Sequence, residues 1–217
     1  MTSIPFDLHA DPPPAVFSAL PVFPLPGVVL MPSALLPLHV FEPRYRALVE
    51  AVLAGDRHLG IATLQPGYEA EYDRAPAVHA EIGVGRIIQS EVLPDGRSNI
   101  VVAHVASAVV GSELAVDTPY RVFDVTPIEP GPRVDARVDA VRALLLQLGT
   151  STPNAGDEAA RLARVDGMAM VHAVARRMFQ TDTEQRAYLA ANDSGRVRSV
   201  LDGLATLMAA TGAIGEA

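Results

Sequence analysis

Leu20-Pro-Val-Phe-Pro-Leu-Pro-Gly-Val-Val-Leu-Met-Pro32, followed by Pro37-Leu-His-Val-Phe-Glu-Pro-Arg-Tyr-Arg46, is the stretch on which the fold turns. From Phe17 to Phe41 it carries no formal charge and is long enough to cross a bilayer. Pro21, Pro24, Pro26, Pro32 and Pro37 interrupt it. Each proline removes a backbone donor, and a helix broken that often cannot satisfy itself in lipid. The stretch therefore reads as buried strands and turns. Val28-Val29-Leu30-Met31, bounded by Pro26-Gly27 and Pro32, is expected as a short buried strand. A helix is expected from Glu42-Pro43, because proline suits the first helical position and a glutamate suits the positive helix end. Tyr45, Leu48, Val49 and Val52 then keep a helical period, and Gly55 ends it.

Further along, Leu59 to Leu64 is expected as a strand and Gln65-Pro66-Gly67 as a turn. Residues 68–80 read as an exposed loop holding Tyr68 and Tyr72. Ile82 to Leu93 and Asn99 to Val110 read as a hairpin around Pro94-Asp95-Gly96, where proline presets the turn and glycine takes its left-handed position. Val101-Val102-Ala103 is apolar on both faces, so its strand is covered on both sides or curls into a barrel. Tyr120 to Ile128 adds a strand.

Pro127-Ile-Glu-Pro130-Gly-Pro132 marks a boundary, and the pattern becomes helical. Val134, Val138, Val141, Leu145 and Leu148 define one helix, which Gly149 is expected to stop. A loop rich in Ser, Thr, Pro, Asn and Gly follows. Met168, Val171, Ala175 and Met178 mark a second helix. Thr181 with Glu184 forms a capping box for a short third. Asp193 or Ser194 is expected to cap a fourth, with Val197, Val200, Leu201, Leu204 and Met208 as its apolar stripe and Gly212 as its end. The expected fold class is α+β, with subdomains at 17–128 and 133–212 behind a polar, mobile lead at 1–16.

The chain has 217 residues, a net charge of −8 and no cysteine, and its 17 basic residues are all arginine. The arginines are scattered among acids, which argues against a nucleic-acid partner. Without cysteine there is no disulfide, no thiolate nucleophile and no Cys-based metal site. Met1-Thr-Ser-Ile-Pro-Phe-Asp-Leu-His-Ala-Asp-Pro-Pro-Pro14 has neither a basic n-region nor an apolar h-region, so the expected location is the cytoplasm, with no membrane partner.

The opening block resembles the start of the Lon N-terminal substrate-binding domain, in particular its stand-alone bacterial versions. Ile82-Gly-Val-Gly-Arg-Ile-Ile88 resembles the family's central strand, Leu93-Pro-Asp-Gly-Arg97 its hairpin turn and Tyr120-Arg-Val122 the strand before its linker. The resemblance runs from about Leu20 to Met208. It implies a twisted sheet or pseudo-barrel of the PUA-like type with one helix, then a helical bundle. It also implies recognition of exposed apolar stretches of protein substrates. In full-length Lon the ATPase uses a P-loop lysine and the peptidase a Ser-Lys pair. This sequence contains no lysine, so these residues carry neither activity.

Candidate chemistry is sparse. His39 and Glu42 have a spacing that on a helix holds a metal, but His39 is expected in an extended segment, so the two side chains diverge. Phe41, Glu42, Arg44 and Tyr45 lie in the strongest block and, with Tyr68 and Tyr72, are the candidate protein-binding residues. Helix-terminus chemistry offers Glu42 and Arg44 a structural role instead. His104, mid-strand, and His172, on a helix, read as packing groups. Gly83-Val-Gly85 continues a strand, whereas a phosphate-cradling loop opens a helix. No catalytic constellation, metal site or cofactor is expected. The leading function is a non-catalytic binding module, adaptor or chaperone-like, for unfolded or apolar protein segments. Its company would be a protease or chaperone, and its state a monomer or weak homodimer. The alternatives are a small-molecule-binding protein or enzyme using His39 and His104, and PUA-like RNA binding.

Overall fold

The computed structural model describes residues 2–3, 17–152 and 155–211. The lead at 1–16, apart from residues 2–3, lies outside the described residues, as does Gly212. The chain divides into two compact units, Met1–Ile128 and Glu129–Ala217.

Among the described residues the first unit holds seven strands: β1 (Thr2–Ser3), β2 (Phe17–Leu25), β3 (Leu35–Val40), β4 (His58–Leu64), β5 (Val78–Val92), β6 (Ser98–Glu113) and β7 (Arg121–Pro127). Its helix α1 spans Pro43–Ala54, with Glu42 at the N-cap, Pro43 in the first turn and Gly55 at the C-cap. The strand order is β1-β5-β4-β2-β7-β6-β3, and β5 also pairs with β6. That pairing closes β5, β4, β2, β7 and β6 into a small barrel, with β3 as an outer strand on β6. Both edges of β6 are paired along Ser98–Ala103, and its side chains feed two cores, Ile100 and Val102 in one and Ala106 and Ala108 in the other.

Prolines sit inside strands here, and the pairing shows why they are tolerated. Pro21 lies where β2 is registered only with β7, and Pro24 where it is registered only with β4. Each proline therefore falls on a locally one-sided stretch, where a missing donor breaks no second ladder. The expected strand at Val28–Met31 does not form. That segment joins no ladder; its Val28 carbonyl accepts from the Thr63 hydroxyl at 2.7 Å, and Leu30 and Met31 are buried. Leu30 lies across β5 at the two glycines: a Cβ on Gly83 would sit 2.7 Å from Leu30 Cβ, and one on Gly85 2.8 Å from Leu30 Cδ2. The Gly83-Val-Gly85 pair is a close-approach device for this crossing.

Successive residues of β2 and β4 feed two separate cores. Phe23, Leu59 and Ile61 pack with Tyr45, Leu48, Val49 and Val52 of α1. Leu20, Val22 and Ala62 pack instead with Ile82, Val84, Ala106 and Phe123. Each fully buried aliphatic side chain contributes about 1.5–3 kcal/mol relative to exposure.

Among the described residues the second unit holds five helices: α2 (Asp135–Ser151), α3 (Gly156–Ala163), α4 (Gly167–Met178), α5 (Asp182–Ala190) and α6 (Asp193–Ala210). Gly149 does not stop α2. It is buried inside the helix, and a Cβ there would lie 2.6 Å from Ala159 Cβ of α3. Its bareness permits the helices to touch. Helix α3, within a segment expected to be loop, buries Ala159, Leu162 and Ala163 at helical spacing. The capping box of Thr181 and Glu184 is present. Asn192, rather than Asp193 or Ser194, caps α6 by accepting from the Gly195 N–H at 3.0 Å.

Candidate functional site

The residues Glu42, Arg44, Tyr45, Tyr68 and Tyr72 converge at the start of α1. The Glu42 carboxylate accepts from Arg44 Nε at 3.1 Å and from the Tyr72 hydroxyl at 2.7 Å. Arg44 also donates to the Tyr72 carbonyl at 2.8 Å. Its guanidinium lies 4.6 Å from the Tyr45 ring centroid and 4.9 Å from that of Tyr72. Tyr68 stands 6.0 Å from Tyr72. From the far side, Arg121 forks onto Glu113 with two 2.7 Å bonds and donates to the Pro76 carbonyl at 2.6 Å. The loop after β4 is thus fastened at Tyr72 by Arg44 and at Pro76 by Arg121. Charge-assisted bonds of this kind are the strong ones.

Within the cluster the side chains have distinct settings. Tyr45 is turned into the core, 4% exposed and stacked 4.2 Å from Phe23. Burial pushes its hydroxyl up to about 12. Burial and then the Glu42 carboxylate likewise raise Tyr72. Tyr45 supports the surface from below and does not form it. Phe41 lies apart and outward, 59% exposed, 6.3 Å from the His39 ring.

His39 pairs with Asn99 at 2.8 Å and approaches Arg97 at 3.4 Å. Its register partner is Asn99, five residues before His104 on β6. At strand rise that is roughly 16 Å, so the two histidines do not meet. His104 contacts Ser107 Oγ at 3.3 Å. Glu42 is committed to Arg44 and Tyr72, away from His39. Among the described residues no group of three or more His, Asp or Glu is placed to hold a metal. His172 is buried, 2.7 Å from the Tyr188 hydroxyl, and burial with the charges of Arg196 and Arg176 lowers it to about 3. It is a neutral packing group.

Among the described residues strand β3 is an edge of the sheet, and its ladder phase follows from one bond. His104 N–H donates to the Ala34 carbonyl at 3.0 Å, so residues 34, 36, 38 and 40 point their backbone groups at β6. Leu35, Pro37 and His39 point theirs outward. Pro37 therefore removes the central donor of the free edge, a device that discourages strand addition.

Sequence reasoning missed a groove of about 700 Å³ between α1 and the β5–β6 hairpin. Pro43, Arg46, Ala47, Leu53, Val92 and Ser98 line it. Val92 is 70% exposed and Val49 closes the floor. Arg46 and Glu50, one turn apart on α1, also line it, and the Arg46 guanidinium reaches Gly96 of the hairpin turn. Arg46, Glu50 and Leu53 follow i, i+4, i+7 along the flank of the buried stripe of α1. Leu53 is itself half-buried against the core that holds Tyr45, Leu48, Val49 and Val52, so nothing in α1 alone marks the groove.

Residues 19–211 match the family model of the substrate-binding domain of ATP-dependent protease La (LON). The chain is 26% identical over 145 residues to Lon protease of Chloroherpeton thalassium, covering 65% of this chain and 17% of that protein. It is 32% identical over 132 residues to Lon protease of Solibacter usitatus, covering 59% and 16%. The chain thus spans a small part of the length of these relatives. Among solved structures, the N-terminal domain of Mycobacterium avium complex Lon protease superposes with a TM-score of 0.63 at 17% identity, covering 87% of this chain and 98% of that one. A Lon N-terminal domain protein from Xanthomonas campestris gives 0.62 at 22% identity, covering 89% and 98%. These neighbours share the α+β fold, a barrel-like sheet with one helix followed by a helical bundle.

Proposed function

We propose that this chain, which belongs to the LON substrate-binding domain family, is a non-catalytic module that binds exposed apolar segments of other proteins. The observation that carries the reading is the open groove between α1 and the hairpin. Its lining combines the apolar Ala47, Val49, Leu53 and Val92 with the charged Glu50 and Arg46, and the Arg46 guanidinium reaches Gly96 of the hairpin turn. An accessible concave surface of that chemistry suits an apolar side chain carried by a polar backbone. Phe41 extends the surface at the start of α1. Glu42, Arg44, Tyr68 and Tyr72, braced by Tyr45, form a second candidate contact surface on another side of α1.

In this reading the β-rich subdomain, 17–128, carries recognition, and the chain works in the cytoplasm as an adaptor or chaperone-like factor beside a protease or chaperone. Two observations support binding over catalysis. The histidines that an enzyme would use lie apart, and the sequence holds no lysine. Several arginines are paired with carboxylates, including Arg97 with Asp95 at 2.6 Å and Arg121 with Glu113, which speaks against a basic nucleic-acid stripe. Among the described residues no helix is long and apolar enough to cross a membrane. Titration of a fluorescently labelled, chemically unfolded protein with the chain tests the proposal. Saturable binding is expected, and no saturation at tens of micromolar would overturn it.

A further inference from the structure

The strand β5 outruns its neighbour β4. The β4 register ends at His58 against Arg86, and the Ile87 N–H donates to the Arg57 carbonyl. Beyond that point β5 continues to Val92 with β6 on one side. On the other side the described partner is β1, with Thr2 opposite Ser90 and Ser3 opposite Gln89, antiparallel.

The ladder phase shows what this edge offers. Leu93 N–H donates to the Arg97 carbonyl at 2.8 Å. Counting back along the register, Glu91 with Asn99 and Gln89 with Val101 are the pairs bonded to β6. Ser90 and Val92 therefore turn their N–H and C=O groups away from β6, towards the side that β4 has vacated. Unlike the edge of β3, this one carries no proline. Ser90 is met by β1 and Val92 extends beyond it.

We propose that the Ser90–Val92 edge of β5 is a strand-acceptor site for an extended, proline-free peptide main chain, and that the chain's own N-terminal strand is its resident, displaceable occupant. The proposal rests on the recognition reading above and adds a second mode to it, main-chain pairing beside the apolar groove. A pairing of two residues is too short to be strong alone. The tether makes it effective. Phe17 begins β2 with its ring 5.6 Å from His58, and His58 is opposite Arg86, four residues from Ser90. The span to be bridged is roughly 15–20 Å at strand rise. Carried on the same chain, β1 pairs with β5 intramolecularly, so a weak pairing is occupied yet open to competition.

The test uses the full-length chain. Changing Thr2→Pro together with Ser3→Pro removes the donor that β1 offers to Ser90. Anisotropy titration of a labelled proline-free decapeptide of alternating valine and threonine is expected to show binding at least about threefold tighter to this variant than to the wild type. Adding Ser90→Pro, which leaves the β6 ladder intact, is expected to abolish that difference. Amide exchange gives a readout independent of the peptide: Ser90 is expected to exchange faster in the Thr2/Ser3 variant, with Val92 equal in both. Equal affinities together with equal Ser90 exchange would overturn the proposal. If Leu53→Glu weakens peptide binding while the Thr2/Ser3 change does nothing, groove recognition stands and the edge site falls. A peptide that binds none of the variants counts against both.

Discussion

Acidification from pH 7 to pH 5 is expected to destabilise the helical unit through His172. The imidazole is buried beside Tyr188, between the positive charges of Arg196 and Arg176, and is lowered to about 3 from an ordinary value of 6.5. A base whose folded value lies below its unfolded value binds more protons when unfolded. Its neutral-form stability is therefore complete above about pH 6.5 and is lost as pH falls towards about 3. With those two values, the loss between pH 7 and pH 5 is about 2 kcal/mol, at a limiting slope of about 1.4 kcal/mol per pH unit. Urea titrations at the two pH values, followed by helical circular dichroism, measure it. The comparison is His172→Gln, which keeps a hydrogen-bonding group for the Tyr188 hydroxyl and cannot titrate. The wild type should lose about 2 kcal/mol more than the variant on acidification. Equal losses would refute the assignment of His172 as a buried neutral group.

Other outcomes follow from single contacts. Gly83→Ala drives a methyl into the Leu30 segment and should cost about 1–3 kcal/mol in thermal or urea unfolding; an unchanged midpoint would contradict the close approach. Tyr72→Phe removes the hydroxyl from Glu42 and should lower the stability of the barrel unit by about 1 kcal/mol, with faster amide exchange in the 68–77 loop. Pro37→Val restores a donor to the outer edge of β3 and is expected to promote self-association in sedimentation velocity, where the wild-type chain at equal concentration does not change.

The sequence made some features legible and concealed others for physical reasons. Helix α1 was readable because its terminus chemistry and its buried stripe, Tyr45, Leu48, Val49 and Val52, agree. The hairpin was readable because Pro94-Asp95-Gly96 is local turn chemistry. Val28–Met31 misled because β-branched apolar residues signal burial as much as pairing, and here burial against Gly83 and Gly85 prevails. Gly149 misled because a glycine that ends a helix and one that admits a neighbouring helix look alike in one dimension. The cluster of Glu42, Arg44 and Tyr72 was legible only as separate residues, since thirty positions separate its ends. The groove was hidden for the same reason: α1 and residues 92–98 are brought together by the barrel, and no local pattern joins them.

The most direct test of the central claim is to map bound peptide on the full-length chain by amide chemical shifts. A labelled apolar peptide should shift residues of the groove, with Ala47, Leu53, Val92 and Ser98 foremost, and Leu53→Glu should weaken binding about tenfold. Shifts scattered over the surface, or confined to the helical unit with Leu53→Glu binding as tightly as the wild type, would contradict the account.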